Sequence, residues 1–222
     1  MWTLGWEKLL QLSALLLSII NGLILVRVHL RDRARLKVSP VHPDTYQWWF
    51  SVPPGTHGGH QTRRYGFVVY AGIRNEGYRA VTVDRWRLQV RAKNGKRPEL
   101  RALSMPEPTY EMGEVVKVFP VLGQKGVMNA GELRVEPGDS ISGMALYVYE
   151  CFGAETWDPA IQDQSISGRF AVHDVFGGRT TCNVSFRERT LEDIEQILPG
   201  LKELFAAIDA GWGGATSSLQ KT

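Results

Sequence analysis

The sequence predicts an all-β domain, folded as an antiparallel two-sheet sandwich, between an N-terminal transmembrane helix and a short C-terminal helical segment. An uncharged apolar run lies near the N-terminus, residues 48–187 alternate between apolar and polar positions, and apolar residues recur at helical spacing after residue 190. At 222 residues, with 43% hydrophobic and 22% charged residues, the chain can form one ordinary core plus an anchor. We divide it into an anchor with a basic juxtamembrane segment (1–37), a β-domain (38–188), an amphipathic segment (189–210) and a flexible tail (211–222).

The apolar run covers residues 9–26 and contains no charged residue. At about 1.5 Å per residue it spans roughly 27 Å, close to the thickness of a bilayer's hydrocarbon core. Trp2 and Trp6 suit the membrane interface just outside it. The sequence therefore predicts an uncleaved anchor. One alternative is a removed signal peptide, although the basic residues follow the apolar run and no A-x-A-like cleavage site is present. The other alternative is a buried core helix.

The flanking charges predict the orientation of this helix. Glu7 and Lys8 precede it, whereas one acid, Asp32, and five basic residues follow it: Arg27, Arg31, Arg33, Arg35 and Lys37. The positive-inside rule then predicts a single-pass membrane protein with its N-terminus outside and its C-terminal domain in the cytoplasm.

Three small residues, Ala14, Ser18 and Gly22, recur at intervals of four on one face of the helix. Small residues at this spacing let transmembrane helices approach closely. They predict a homo-oligomer through the membrane, with chance occurrence as the alternative.

The alternating patterns predict about eight strands without intervening helices, which favours a sandwich or barrel. The predicted strands cover residues 48–52, 64–74, 81–92, 114–121, 132–136, 140–151, 168–176 and 180–187. Within 81–92 the apolar positions change from odd to even near Asp84, which predicts a β-bulge or a change of sheet. Cys182 shares an apolar face with Val184 and Phe186, which predicts a core thiol rather than a reactive one.

Several turn motifs are typical of small β-sandwiches: Asn75-Glu76-Gly77, Val81-Thr82-Val83, Pro137-Gly138-Asp139 and Asp174-Val175-Phe176-Gly177. With them, residues 45–188 resemble immunoglobulin-like β-sandwich modules in general, although the cysteine and tryptophan spacing of antibody domains is absent. The resemblance implies a fold and no particular function.

The C-terminal segment begins at Thr190, with Asp193 three residues later, in the manner of a capping box. Apolar residues then recur at helical spacing, and Pro199-Gly200 interrupts them, which predicts two short helices. They are expected to cover the β-domain, with docking on a partner protein as the alternative.

No motif in the sequence requires a particular chemistry. Phosphate-binding loops, the G-x-S-x-G and H-E-x-x-H motifs and a C-x-x-C pair are all missing, so we assign no catalytic residue and no cofactor, and an enzyme is not favoured. His57 and His60, with His42 upstream, are too few for a metal site on their own, and no metal ligand is assigned. His173 and Asp174 are neighbours on a strand and should point to opposite faces, with Asp174 serving the following turn.

Charge is the stronger signal. Residues 63–101 contain eleven Lys and Arg against three acids, whereas residues 102–222 contain nine against seventeen. Arg85, Arg87 and Arg91 alternate with apolar residues, so one strand face should display a row of guanidinium groups, with Lys93 just beyond it. We predict that these four residues bind either anionic lipid head groups or an acidic partner protein. Pairing with the acidic second half is the alternative, and nucleic acid is disfavoured because no nucleic-acid-binding fold is recognisable.

The sequence thus predicts a non-enzymatic, membrane-anchored binding or scaffolding module. One alternative is an extracytoplasmic envelope-assembly or transport domain with a disulfide between Cys151 and Cys182. The other is a membrane-tethered enzyme or effector with a site near His57 and His60.

Overall fold

The computed structural model describes residues 3–31, 35–57, 60–103, 109–112, 115–122 and 133–207. The first helix, α1 (Thr3–Arg31), contains the apolar stretch Gly5–Val28, whose mean hydropathy is 2.3. No part of this stretch is buried against the rest of the chain. The helix is long and apolar enough to cross a membrane, and an N-terminal signal sequence would share these properties.

Most of the remaining described residues form twelve strands. They are β1 Leu36–Pro40, β2 Gln47–His57, β3 His60–Asn75, β4 Val81–Val90, β5 Glu99–Leu103, β6 Thr109–Met112, β7 Val115–Val118, β8 Arg134–Val135, β9 Ser140–Cys151, β10 Ile161–Gln162, β11 Ser165–Asp174 and β12 Arg179–Glu188. β6 and β7 form a separate hairpin, and the other ten strands form one sheet.

The large sheet is mixed and closes on itself. Its order is β10-β11-β12-β2-β3-β9-β5-β4-β8, with β1 added to β3, and β11 also pairs with β4. Neighbouring strands are antiparallel except β12 and β2, which are parallel where Arg187 and Glu188 lie opposite Trp48 and Trp49. The predicted pair of separate antiparallel sheets is therefore not confirmed, because the β11–β4 and β12–β2 pairings connect all the strands.

Each of the eight predicted strands overlaps an observed one, and residues 140–151 coincide with β9. The predictions at Glu114 and Glu132 lie outside the described residues. β1, β5, β6 and β10 were not predicted. β1 also corrects the boundary of the predicted juxtamembrane segment, because Leu36 and Lys37 already pair with Asn75 and Arg74 of β3.

The closed sheet surrounds an interior core. Inward side chains from nine strands contribute to one apolar cluster, which includes Phe67, Trp86, Leu88, Phe170 and Phe186. Because residues alternate between the two faces of a strand, Phe67 and Val69 of β3 point inward while Val68 between them points outward.

A second apolar cluster covers the outer face of β2, β3 and β9, where Trp48, Phe50 and Leu146 are buried. The C-terminal segment covers this cluster. Ile194 of α2 (Leu191–Glu195), Leu198 in the following turn, and Leu201 and Phe205 of helical residues 201–207 all pack into it. The predicted packing of this segment on its own domain is confirmed. The predicted tail and residues 208–210 lie outside the described residues.

Local signals for these helices also act as predicted. The Thr190 side chain accepts a hydrogen bond from the Asp193 backbone N–H, and the Asp193 carboxylate accepts one from the Thr190 N–H, which completes the capping box. α2 ends before Pro199, and helical residues resume at 201 after Gly200 adopts a φ of 85°.

Gly66 is required by the close approach of Phe50, its direct partner across β2 and β3. A Cβ at Gly66 would lie 2.2 Å from Cζ of the fully buried Phe50 ring. We expect Gly66→Ala to lower the free energy of unfolding by about 1–3 kcal/mol, the usual cost of overpacking a core.

Gly72→Ala in the same strand is the matched control, because its new Cβ would meet nothing nearer than 3.4 Å. Urea denaturation of both variants checks the prediction, and equal losses of stability would contradict the role given to Phe50.

Candidate anion-binding face

The outward row of arginines on β4 depends on a bulge. His173 of β11 lies opposite Arg85 and Asp174 lies opposite Val83, so Asp84 is the extra residue. The predicted change of phase at Asp84 is thereby confirmed. Beyond the bulge, Trp86, Leu88 and Val90 are buried in the interior core, and Arg85, Arg87 and Arg91 lie on the opposite side of the strand.

Neighbouring strands extend this row into a surface. Residues directly opposite each other in an antiparallel pair share a face. Arg101 of β5 lies opposite Arg87, Arg169 of β11 lies opposite Gln89, and Arg179 of β12 lies opposite His173. The basic face, as we use the term, comprises seven arginines: Arg85, Arg87, Arg91, Arg97, Arg101, Arg169 and Arg179.

Acids near β4 pair with only part of the basic face. Arg85 Nε lies 2.6 Å from an Asp84 carboxylate oxygen, and Arg87 Nε lies 3.7 Å from a Glu99 oxygen, which is an ion pair but too long for a hydrogen bond. Glu99 also accepts a hydrogen bond from Gln89 at 3.1 Å. Within the described part of the chain, the other five arginines of the face have no carboxylate within 4.0 Å.

Both acids on the basic face come from the basic half of the sequence. The described residues of the acidic second half add two arginines to the face, Arg169 and Arg179, and no carboxylate paired to it. Pairing across the two halves, the alternative weighed from the sequence, therefore does not neutralise the described part of this surface.

A groove of about 550 Å³ crosses the basic face at the ends of β4 and β11. Arg91, Arg97 and Arg169 line it, with the polar side chains Gln89, Ser167, Asn183 and Ser185 and no acidic residue among the described lining. Three guanidinium groups with adjacent hydroxyl and amide groups form a set of donors suited to carboxylates. Arg97 and Arg169 were not predicted from the sequence. Arg97 reaches Arg91 through the loop after β4, and Arg169 reaches it because β11 pairs Arg169 with Gln89, which lies 80 residues earlier in the chain.

Lys93, the fourth predicted binding residue, lies outside the groove lining and pairs with Asp158. Its Nζ is 3.3 Å from one carboxylate oxygen of Asp158, and Arg63 Nε is 2.7 Å from the other. The hydrogen bond to Asp158 raises the pKa of Arg63. Asp158 is only 4% exposed, so the two cations compensate a buried charge and hold the loop of residues 152–160 over this end of the sheet.

Both cysteines are free, and they lie on β9 and β12, which β2 and β3 separate in the sheet. Cys151 Sγ is 3.4 Å from the Trp157 carbonyl oxygen, to which the Tyr149 hydroxyl also donates at 2.7 Å. Burial raises the pKa of each thiol to about 11. This environment agrees with the prediction that Cys182 is a core residue, and it gives no support to a disulfide with Cys151.

The described residues contain no metal site at these histidines. The backbone positions of His57 and His60 are paired across the β2–β3 hairpin, and His42 has a φ of 47° in the loop before β2. No group of three or more His, Cys, Asp or Glu side chains that could hold a metal ion occurs among the described residues. Asp174 accepts hydrogen bonds from the N–H groups of Phe176 and Gly178, both at 2.8 Å, which confirms its predicted role in the turn.

Ala14, Ser18 and Gly22 lie on α1 and are exposed in the single chain. A Cβ at Gly22 would meet nothing within 4 Å. Self-association through this helix stays a prediction.

Comparison with known proteins gives no functional assignment. No family model and no curated protein matches the chain. A structural-genomics target solved by X-ray crystallography is similar at 11% identity over 71% of this chain and 89% of its own, with a TM-score of 0.30. The putative ApaA protein from Bordetella pertussis is similar at 14% identity over 70% and 93%, with a TM-score of 0.27. At these TM-scores we draw no conclusion from either likeness.

We expect both thiols to resist alkylation in the folded protein. With a pKa of about 11, only about one thiol in a thousand is ionised at pH 8, compared with roughly a quarter at an ordinary pKa of 8.5. Iodoacetamide at pH 8 should therefore react at least about a hundredfold more slowly than in denaturant. The rate should rise as the pH approaches 11, and rapid modification of Cys151 or Cys182 in the folded protein would contradict the packing described.

Proposed function

We propose that the protein is a non-enzymatic, single-pass membrane-anchored module whose basic face binds an acidic segment of a partner protein. The observation that carries this proposal is the groove lined by Arg91, Arg97 and Arg169 without a described acidic partner. A monomer gains nothing in stability from like charges gathered on one surface, so their accumulation favours a role in recognition.

Position along the sheet favours a protein over lipid head groups as the ligand of the groove. The chain enters the sheet from α1 at Leu36, beside Asn75. Arg91 lies at the other end of β4, ten residues beyond Val81, which at about 3.3 Å per residue corresponds to roughly 30 Å. The charge of lipid head groups is screened within about 8–10 Å at physiological ionic strength. A groove roughly 30 Å along the sheet from the end joined to α1 would therefore bind a soluble acidic peptide more readily than lipid.

The anchor, its orientation and the type of sandwich belong to the same proposal. The apolar, unburied α1 supports a membrane span, and the basic residues after it support a cytoplasmic β-domain. The interior core enclosed by opposite parts of the closed sheet supports an immunoglobulin-like arrangement of the strands. Homo-oligomerisation through Ala14, Ser18 and Gly22 would add avidity to a groove of modest affinity.

Charge reversal tests the groove. The triple variant Arg91→Glu, Arg97→Glu and Arg169→Glu should weaken binding of fluorescent poly-glutamate at least about tenfold at low salt, because each exposed ion pair contributes up to about 1 kcal/mol. Fluorescence anisotropy on the full chain in zwitterionic nanodiscs measures this change. Binding of the unaltered protein should weaken as salt is added.

Matched control substitutions are Arg74→Glu, Arg189→Glu and Lys202→Glu, which change the net charge equally but lie outside the groove lining. These should alter binding by less than about threefold, since distant exposed charges are screened. Equal weakening by both triples would show that net charge, and not the groove, attracts the peptide.

Cysteine labelling tests the orientation. An impermeant maleimide should leave Ser217→Cys unmodified in intact cells and should modify it after permeabilisation, because the positive-inside rule predicts a cytoplasmic C-terminus. Thr3→Cys at the other end of α1 should show the reverse accessibility. Labelling of Ser217→Cys in intact cells would overturn the orientation and move the search for a partner outside the cytoplasm.

A further inference from the structure

Three apolar side chains are exposed at one end of the sheet. Tyr78, in the turn between β3 and β4, is 61% exposed, and Val175 and Phe176, in the hairpin between β11 and β12, are 52% and 62% exposed. Exposed aromatic and aliphatic residues in tight turns have no evident role in the domain's own core.

The two turns form one patch, which we call the turn patch. The Val175 N–H donates to the Thr82 carbonyl at 3.1 Å, and the Arg79 guanidinium lies 5.6 Å from the centre of the Phe176 ring. Tyr78, Arg79 and Phe176 line a common cavity of about 520 Å³.

Two polar side chains, Asn75 and Asp174, hold the turn patch in place. The fully buried Asn75 amide donates to the carbonyls of Arg79 and Val135, at 2.7 and 3.0 Å, and accepts from the Gly77 N–H at 2.9 Å. The Asp174 carboxylate fixes the other turn through its two backbone hydrogen bonds. The apolar side chains are thus presented in a preorganised arrangement, so binding requires little further ordering.

The turn patch lies where the chain arrives from α1. Leu36 pairs with Asn75, and the Glu76 N–H donates to the Arg35 carbonyl at 2.8 Å. α1 ends at Arg31, five residues before Leu36. The distance between the Cα atoms of Arg31 and Leu36 is therefore at most about 18 Å. Any membrane that holds α1 therefore lies within reach of this end of the domain, whichever side the domain is on.

We propose that Tyr78, Val175 and Phe176 insert into the interfacial layer of the bilayer that holds α1. Aromatic side chains favour this layer, and Arg79, whose guanidinium lies beside the Phe176 ring, is placed to meet lipid phosphates. This inference rests on the proposed membrane anchor and is independent of its orientation. The domain then stands on its turns, with the groove at Arg91 directed away from the lipid.

The opposite end of the sheet provides an internal comparison. Phe152, Trp157 and Ile161 are 45%, 38% and 44% exposed there. Arg63, which contacts the loop of residues 152–160, is twelve residues from Asn75 along β3, roughly 40 Å at about 3.3 Å per residue. Because the tether joins the domain at the end near Leu36, the two ends should behave differently.

Site-specific fluorescence tests the inference on the full chain. Phe176→Cys and the control Ile161→Cys are each labelled with the environment-sensitive fluorophore NBD and reconstituted in phosphatidylcholine–phosphatidylglycerol vesicles. The unsubstituted protein, carried through the same labelling, provides the background from Cys151 and Cys182. Vesicle flotation of every sample reports separately whether α1 anchors the chain.

We expect nitroxide-labelled lipids to quench the probe at position 176 about twofold, because an inserted side chain lies within the depth of about 5–10 Å reached by interfacial residues. The probe at position 161 should respond to aqueous iodide and not to these lipids. Failure of the chain to float would overturn the anchor itself. Flotation with a probe at position 176 that iodide quenches and nitroxide lipids do not would overturn the turn patch alone.

Two further outcomes would also overturn it. Equal lipid quenching at positions 176 and 161 would mean that the domain contacts the membrane without a preferred end. Shielding at position 176 that grows with the protein-to-lipid ratio, without quenching by lipid, would assign the turn patch to a second copy of the chain.

Discussion

Strand β11 pairs with β12 on one side and with β4 on the other, and this double pairing closes the sheet around its interior core. Closure gives each strand in the ring one face toward that core and one away from it. Where the C-terminal helices cover the outer face, as on β2, β3 and β9, both faces are apolar. On β4, β5, β11 and β12 the outer face can be polar, and there it is rich in arginine. The basic face therefore combines five arginines of the basic segment 63–101 with two, Arg169 and Arg179, that the closed topology brings beside them.

The distribution of charge and apolar surface gives the domain two distinct ends. Near Leu36 the turns are held by Asn75 and Asp174 and expose apolar side chains. At the far end, Asp158 binds Arg63 and Lys93, and beyond them the groove keeps three arginines without a described carboxylate partner. Asp158 thus stabilises one pair of cations, which is a structural use of charge, whereas binding is the use proposed for the arginines of the groove.

Local patterns could be predicted from the sequence, and long-range pairings could not. The β9 strand, the bulge at Asp84 and the capping box at Thr190 each depend on residues within a few positions of one another. β1 and β5 were missed because each has only five residues, with charged residues and a proline masking the alternation. At the candidate site, the row of arginines on β4 was predicted. Arg169 and Arg179 join this row only through the pairing of distant strands, and Lys93 instead binds Asp158, 65 residues away in sequence. Strand alternation shows which face a residue occupies, but only the pairing shows which residues share that face.

The parallel contact between β12 and β2 has a consequence for biosynthesis. It joins Trp48 and Trp49 to Arg187 and Glu188, so the ring cannot close until nearly the whole β-domain has been translated. Until then Trp48 and Phe50 lack the helical residues that bury them. Because α1 is made first, the proposed anchor would reach the membrane while the strands are still unpaired. Such a chain carries unpaired strand edges and exposed aromatic residues for most of its synthesis, which makes the ribosome-bound intermediate the form most dependent on chaperones.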